Sequence, residues 1–122
     1  MERVVDPDQA AVVMAERTTR WVAAGLTVGR LTWRDGEVPW PCRIETDRAL
    51  VNDPDSVGVH ISRPDGAELS VVLFRGGWAD VDYYDGLDDG GSLPAAGIDG
   101  AAEFGARLDA WVVRVFGALR EK

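Results

Sequence analysis

The sequence predicts an α+β domain: an antiparallel β-sheet, a meander of about five strands, flanked by an N-terminal and a C-terminal α-helix. Three observations carry that expectation. A capped, proline-led helix start stands at Asp6-Pro7. Between residues 26 and 84, short runs of strand-forming residues are separated by turn dipeptides. Over residues 99–119, apolar side chains recur at the spacing of one helix face.

The elements follow in order. In Asp6-Pro7-Asp8-Gln9, Asp6 suits the N-cap, Pro7 the first helical position, and Gln9 completes a capping-box pattern. Ala10, Val13, Met14, Trp21 and Val22 then recur near helical spacing, and Gly25 offers a stop, which predicts a helix over about residues 7–24. Residues 26–34 are rich in strand formers and lead into Asp35-Gly36, a hairpin signal. The return strand over residues 38–44 carries Pro39 and Pro41, each lacking a ladder donor, so an irregular edge strand is expected there. Residues 48–51 offer a brief pairing segment before a turn at Asn52-Asp53-Pro54-Asp55. Val57, Val59 and Ile61 alternate with Gly58, His60 and Ser62, the pattern of a half-buried strand.

Arg63-Pro64-Asp65-Gly66 is a turn in which proline presets one backbone angle and glycine accepts a positive φ. Residues 69–75 form the most apolar run and are expected at the sheet centre, with Gly76-Gly77 turning into a last strand over residues 78–84. Residues 85–97 (DGLDDGGSLPAAG) read as loop. The second helix is expected from near Asp99, with Phe104, Leu108, Trp111, Val112, Val115 and Leu119 on its buried side. Trp111, Leu108, Val115, Leu73 and Val71 are the expected core.

All 122 residues are read as one domain, long enough to bury about 65% of its unfolded surface without a disulfide or structural metal. The only cysteine is Cys42, which excludes an intramolecular disulfide and fits a reducing compartment. The N-terminus lacks the basic start and apolar run of a signal peptide, and no apolar run could cross a bilayer. The expectation is a cytoplasmic protein with no membrane partner.

Net charge is −8, and its placement is uneven. Residues 76–106 hold Asp80, Asp82, Asp85, Asp88, Asp89, Asp99 and Glu103 and no basic residue. Of the 21 acids these are seven, leaving 14 that nearly balance the 13 bases elsewhere. A phosphate backbone would be repelled by such a segment, so no nucleic-acid partner is expected. A basic protein would be attracted and its approach accelerated. A solvated acidic loop that merely aids solubility is the alternative.

Enzyme chemistry finds little to work with. Cys42 and the lone His60 lie in no cysteine-enzyme signature, and two such residues fall short of a four-ligand zinc site. Asp80 and Asp82 share one strand face, but Tyr84 stands where a calcium loop needs its third acid. The glycines of residues 86–91 match no nucleotide fingerprint. No catalytic residue, no metal site and no cofactor is expected.

One pattern points to binding instead. Strand alternation over residues 78–84 puts Trp78, Asp80, Asp82 and Tyr84 on one face and Ala79, Val81 and Tyr83 on the other. With Val81 inward, two aromatics of the types enriched in interfaces flank two carboxylates on the open side. With the opposite orientation, Trp78 and Tyr84 would lie beneath the second helix. The expected partner-binding set is Trp78, Asp80, Asp82 and Tyr84 with Asp85, Asp88 and Asp89 of the adjoining segment.

A helix carrying Trp21, a series of hairpins, Gly77-Trp78-Ala79-Asp80-Val81-Asp82, an acidic loop and a Glu103-Phe104 helix together resemble the TriTu-type immunity proteins of bacterial polymorphic-toxin systems. The likeness lies in the order of elements and a short Gly-x-x-Asp-x-acid motif. It implies an antitoxin that protects the producing cell by binding a cognate toxin. A secretion chaperone or adaptor that binds a protein client is the second reading, and a metal-dependent enzyme using Asp80 and Asp82 the third.

Overall fold

The N-terminal helix starts where the capping residues place it. In the computed structural model, which describes residues 3–39, 41 and 43–120, α1 spans Pro7–Ala23. The Asp6 carboxylate accepts the Asp8 N–H at 2.9 Å, satisfying one of the donors a helix start leaves orphaned. At the other end Gly25 takes a positive φ, and the Leu26 N–H returns to the Trp21 carbonyl. Ala10, Met14 and Trp21 are buried, whereas Val22, expected among them, is 55% exposed. Its position lies off the stripe that faces the sheet.

Six strands follow: β1 (Thr27–Val28), β2 (Thr32–Asp35), β3 (Pro54–Ser62), β4 (Ala67–Phe74), β5 (Trp78–Asp85) and β6 (Gly90–Ser92). Helix α2 (Ala101–Phe116) closes the chain's regular structure. The fold is α+β. Strands β3, β4, β5 and β6 form an antiparallel meander, and β1 and β2 both pair with the free side of β3. Val57, Val59 and Ile61 of β3, Leu69, Val71 and Leu73 of β4, and Ala79 and Val81 of β5 point into one core. Both helices lie against that face and against each other. Phe104, Leu108, Trp111, Val112 and Val115 of α2 seal the core, with Phe104 and Trp111 edge-to-face at 6.3 Å. The five residues expected at the core are all buried.

Five expectations are corrected by the sheet. Residues 26–34 form two strands rather than one, broken between Val28 and Thr32, although the Gly29 N–H still reaches the His60 carbonyl. The 35–36 hairpin is replaced by a longer excursion. A turn does form, with Val38 N–H to Asp35 O, but β2 takes β3 as its partner, and among the described residues its ladder pairing with the returning chain is limited to a Trp33–Glu45 bridge. The prolines at 39 and 41 account for the missing ladder; Trp40 and Cys42, between and beside them, lie outside the described residues. Residues 48–50 form a 3-10 turn instead of pairing, and Pro54 and Asp55, expected in a turn, already belong to β3. Within the expected loop at 85–97, Gly90–Ser92 adds a strand beyond β5.

Charged groups pin this arrangement at two places. The Arg17 guanidinium of α1 grips both oxygens of Asp109 on α2, at 2.8 and 3.2 Å, directly over Gly105. On β2 and β3, Arg34 forks onto the nearly buried Asp55, with its shortest contact at 2.6 Å. Asp35 is itself buried at 6% exposure, and its carboxylate accepts the N–H groups of Glu37, Asn52 and Asp53. That anchors the excursion to the start of β3 and holds the Asp35 carboxyl below its ordinary range, the Asn52 bond foremost.

Candidate protein-binding face

Both helices sit on one side of the sheet, so the outward residues of β2 to β5 are covered by no described element. Cross-strand register arranges them in rows. The first row reads Arg34, Ser56, Phe74, Trp78; the second Thr32, Gly58, Val72, Asp80. The third reads His60, Ser70, Asp82, Ser92, and the fourth Ser62, Glu68, Tyr84, Gly90. Val81 is 2% exposed while Trp78 is 39% and Tyr84 38% exposed, which settles the orientation of β5. Trp78, Asp80, Asp82 and Tyr84 therefore share the open face.

The other three acids fare differently. Asp85 ends β5, and its carboxylate accepts the Leu87 and Asp89 N–H groups at 2.8 and 3.2 Å. Those bonds, the Leu87 one first, lower its pKa and make it the organiser of the β5–β6 turn rather than part of the face. The Asp89 carboxylate accepts the Tyr83 hydroxyl at 3.1 Å, and Tyr83 points to the helix side, where Arg114 lies 5.1 Å above its ring. Asp88 stands exposed at the tip. The acidic segment is thus a braced hairpin. The Tyr84 hydroxyl adds a bond to the Leu87 carbonyl at 2.6 Å.

Sequence reasoning centred on β5 left out the partners from neighbouring strands: Phe74, Val72, Ser70, Glu68 and His60. Their signal was present in the alternation of β4, where Leu69, Val71 and Leu73 point inward and the intervening residues must point out. Phe74 matters most. Its ring stacks on Trp78 at 3.9 Å and 11° between planes, and the Arg34 guanidinium lies 5.4 Å from its centroid. Lower on the face, the Ser92 hydroxyl donates to Asp82 at 2.6 Å, and His60 lies 3.7 Å from Glu68. The outward acids are Glu68, Asp80 and Asp82; of the outward bases, Arg34 is paired with Asp55 and His60 faces Glu68.

The face is flat. A recess of about 80 Å³ between His60, Glu68, Ser70 and Asp82 is well short of the ~300–1,000 Å³ of small-molecule sites. Among the described residues no three carboxylate, imidazole or thiol groups come together as metal ligands, so Asp80 and Asp82 are not joined by a third. No described helix is long and apolar enough to cross a membrane. Comparison with protein-family models, with curated proteins and with solved structures finds no match. The arrangement itself therefore bears the weight of any functional reading. It offers a broad surface with an aromatic stack at one end and carboxylates beside it.

Proposed function

We propose that this protein binds a basic partner protein through the open face of its sheet, and that the partner is a toxin which it neutralises. The observation that carries the reading is an uncovered face on which the Phe74–Trp78 stack adjoins Asp80 and Asp82. Strands about 4.8 Å apart, with outward residues repeating at about 6.8 Å, put four such residues on each of β3, β4 and β5 and two on each of β2 and β6, a face on the order of 500 Å². The adjoining acidic hairpin extends it toward the ~800 Å² per partner of an ordinary stable interface. Exposed aromatics supply the apolar anchor and flanking acids steer a basic surface into place. The toxin as partner rests on the resemblance to immunity proteins; the basic character of the partner rests on the residues themselves.

Co-expression with the product of the adjacent gene tests this. The two products are expected to co-purify, and the cells to survive a toxin that kills in the absence of this chain. A non-toxic client carried to a secretion apparatus would instead favour the chaperone reading. No association with the adjacent product would overturn the toxin proposal.

A further inference from the structure

We infer that the partner is held by an arginine whose guanidinium stacks on the free side of Trp78 and forks onto Asp80, an inference that rests on the docking reading above. The first row of the face is a ladder of rings and charge. Arg34, held by Asp55, lies 5.4 Å from the Phe74 ring centroid, and Trp78 on the next strand stacks on that same ring. Ser56, the small residue between them in register, leaves the Arg34 side chain room to reach the ring. The ladder stops at Trp78. Among the described residues no ring or guanidinium stacks against it other than Phe74.

What flanks that free side is small. Beyond β6, the Leu93 N–H bonds Val81 O and the Ala79 N–H bonds Ala95 O, both at 2.9 Å, so the β5–β6 register continues. It sets Pro94 opposite Asp80 and Ala96 opposite Trp78, neither of which carries a charge. Asp80 is the matching acceptor. It sits two residues along the strand, about 6.8 Å away. Asp82 takes the Ser92 hydroxyl and Glu68 faces His60, but the Asp80 carboxylate accepts no hydrogen bond among the described residues. An indole face and an exposed carboxylate without a protein partner at that spacing match a planar cation that stacks and donates in a fork. Arginine has that shape, whereas the lysine ammonium is a compact, strongly hydrated charge.

Two peptides of equal charge, hexa-arginine and hexa-lysine, decide the matter by calorimetric titration of the full chain at fixed salt. Hexa-arginine is expected to bind at least about fivefold tighter, in the range of cation–π preferences. Trp78→Ala should bring the two peptides within about twofold of each other, and Trp78→Phe should keep part of the preference. Asp80→Asn should weaken hexa-arginine more than Asp88→Asn does, although both remove one charge. Amide spectra of each variant confirm the fold, and the Trp78 indole signal, identified by its loss in Trp78→Phe, should move on addition of hexa-arginine. Equal affinity for the two peptides, no binding of either, or a preference that survives Trp78→Ala overturns the anchor. So does a dimer of the parent chain that Trp78→Ala dissolves, which would make a second copy the occupant. Each of these results leaves co-purification with the adjacent gene product as a separate measurement, so the docking reading stands or falls on its own.

Discussion

Trp78 is the exposed end of the ring stack, 39% open to solvent, so its removal should weaken binding while the fold persists. Trp78→Ala forfeits that stack, worth about 1 kcal/mol beyond burial, together with the apolar area the indole keeps from water, so its urea-unfolding free energy should fall by about 2–3 kcal/mol. Dissociation of the partner should be faster by about 2 kcal/mol, the cost of truncating a buried anchor. A rise in dissociation rate with the native amide pattern retained is the expected pair of results; an unchanged rate places the interface elsewhere. Gly86 behaves in the opposite way. Its φ is +89°, and a methyl group there would lie 2.8 Å from the Asp65 carbonyl and 2.9 Å from the Ala67 nitrogen, both rigid backbone. Gly86→Ala should destabilise by more than about 1 kcal/mol in urea unfolding and shift the amide signals of both the 63–66 and the 85–89 turns.

At the scale of elements, β2 depends on a charge pair as much as on its ladder. Arg34 and Asp55 sit largely out of water, and Asp55→Ala would remove the carboxylate that the Arg34 guanidinium forks onto. A loss of about 3 kcal/mol is expected in urea unfolding, accompanied by loss of hydrogen-exchange protection in β2 before β4. The β4 centre answers to packing alone. Leu69, Val71 and Leu73 of β4 are fully buried in the core, and truncation of Leu69 or Leu73 to Ala belongs in the 2–5 kcal/mol range of core cavities.

The whole molecule carries a charge of −8, concentrated beside the open face, and its two consequences separate by pH and salt. Replacing Asp80, Asp82, Asp85 and Asp88 together by Asn should slow association with the partner and flatten its dependence on salt, since steering acts over about a Debye length of 10 Å at 0.1 M. Asp85 braces a turn, so the variant is first checked for its β5–β6 amide pattern. Acid acts on the fold. Asp8, Asp35, Asp53, Asp65 and Asp85 are held below the ordinary carboxylate range, chiefly by Arg48, the Asn52 N–H, Arg75, Arg63 and the Leu87 N–H respectively. Groups depressed on folding stabilise above their unfolded value, about 3.9, and that contribution fades as pH falls through their folded values. Urea stability should thus hold between pH 7 and about 5 and decline progressively below about 4. Asp35→Asn should be less stable at pH 7 and show a shallower acid decline, because one of the titrating acceptors is gone.

Local chemistry alone determined a good deal of this protein. Asp6 and Pro7 set the start of α1, the spacing from Phe104 to Val115 set the buried side of α2, and the parity of Val81 turned Trp78, Asp80, Asp82 and Tyr84 to one face. Each is a relation between residues a few positions apart, and helical and strand periods act over that distance. Tertiary structure decided the rest. That β2 pairs with β3 rather than with its neighbour after Gly36, that Gly90-Gly91-Ser92 joins the sheet, and that Phe74 rather than Val72 lies beneath Trp78 are matters of register between distant segments. Gly90 and Gly91 carry no apolar side chain to announce a strand; their place comes from backbone bonds offered by β5, and the Asp89 that reads as a free acid is tied to Tyr83 by the same hairpin. Side-chain alternation is a property of one strand, but a binding face is a property of several, and only their pairing brings its residues together.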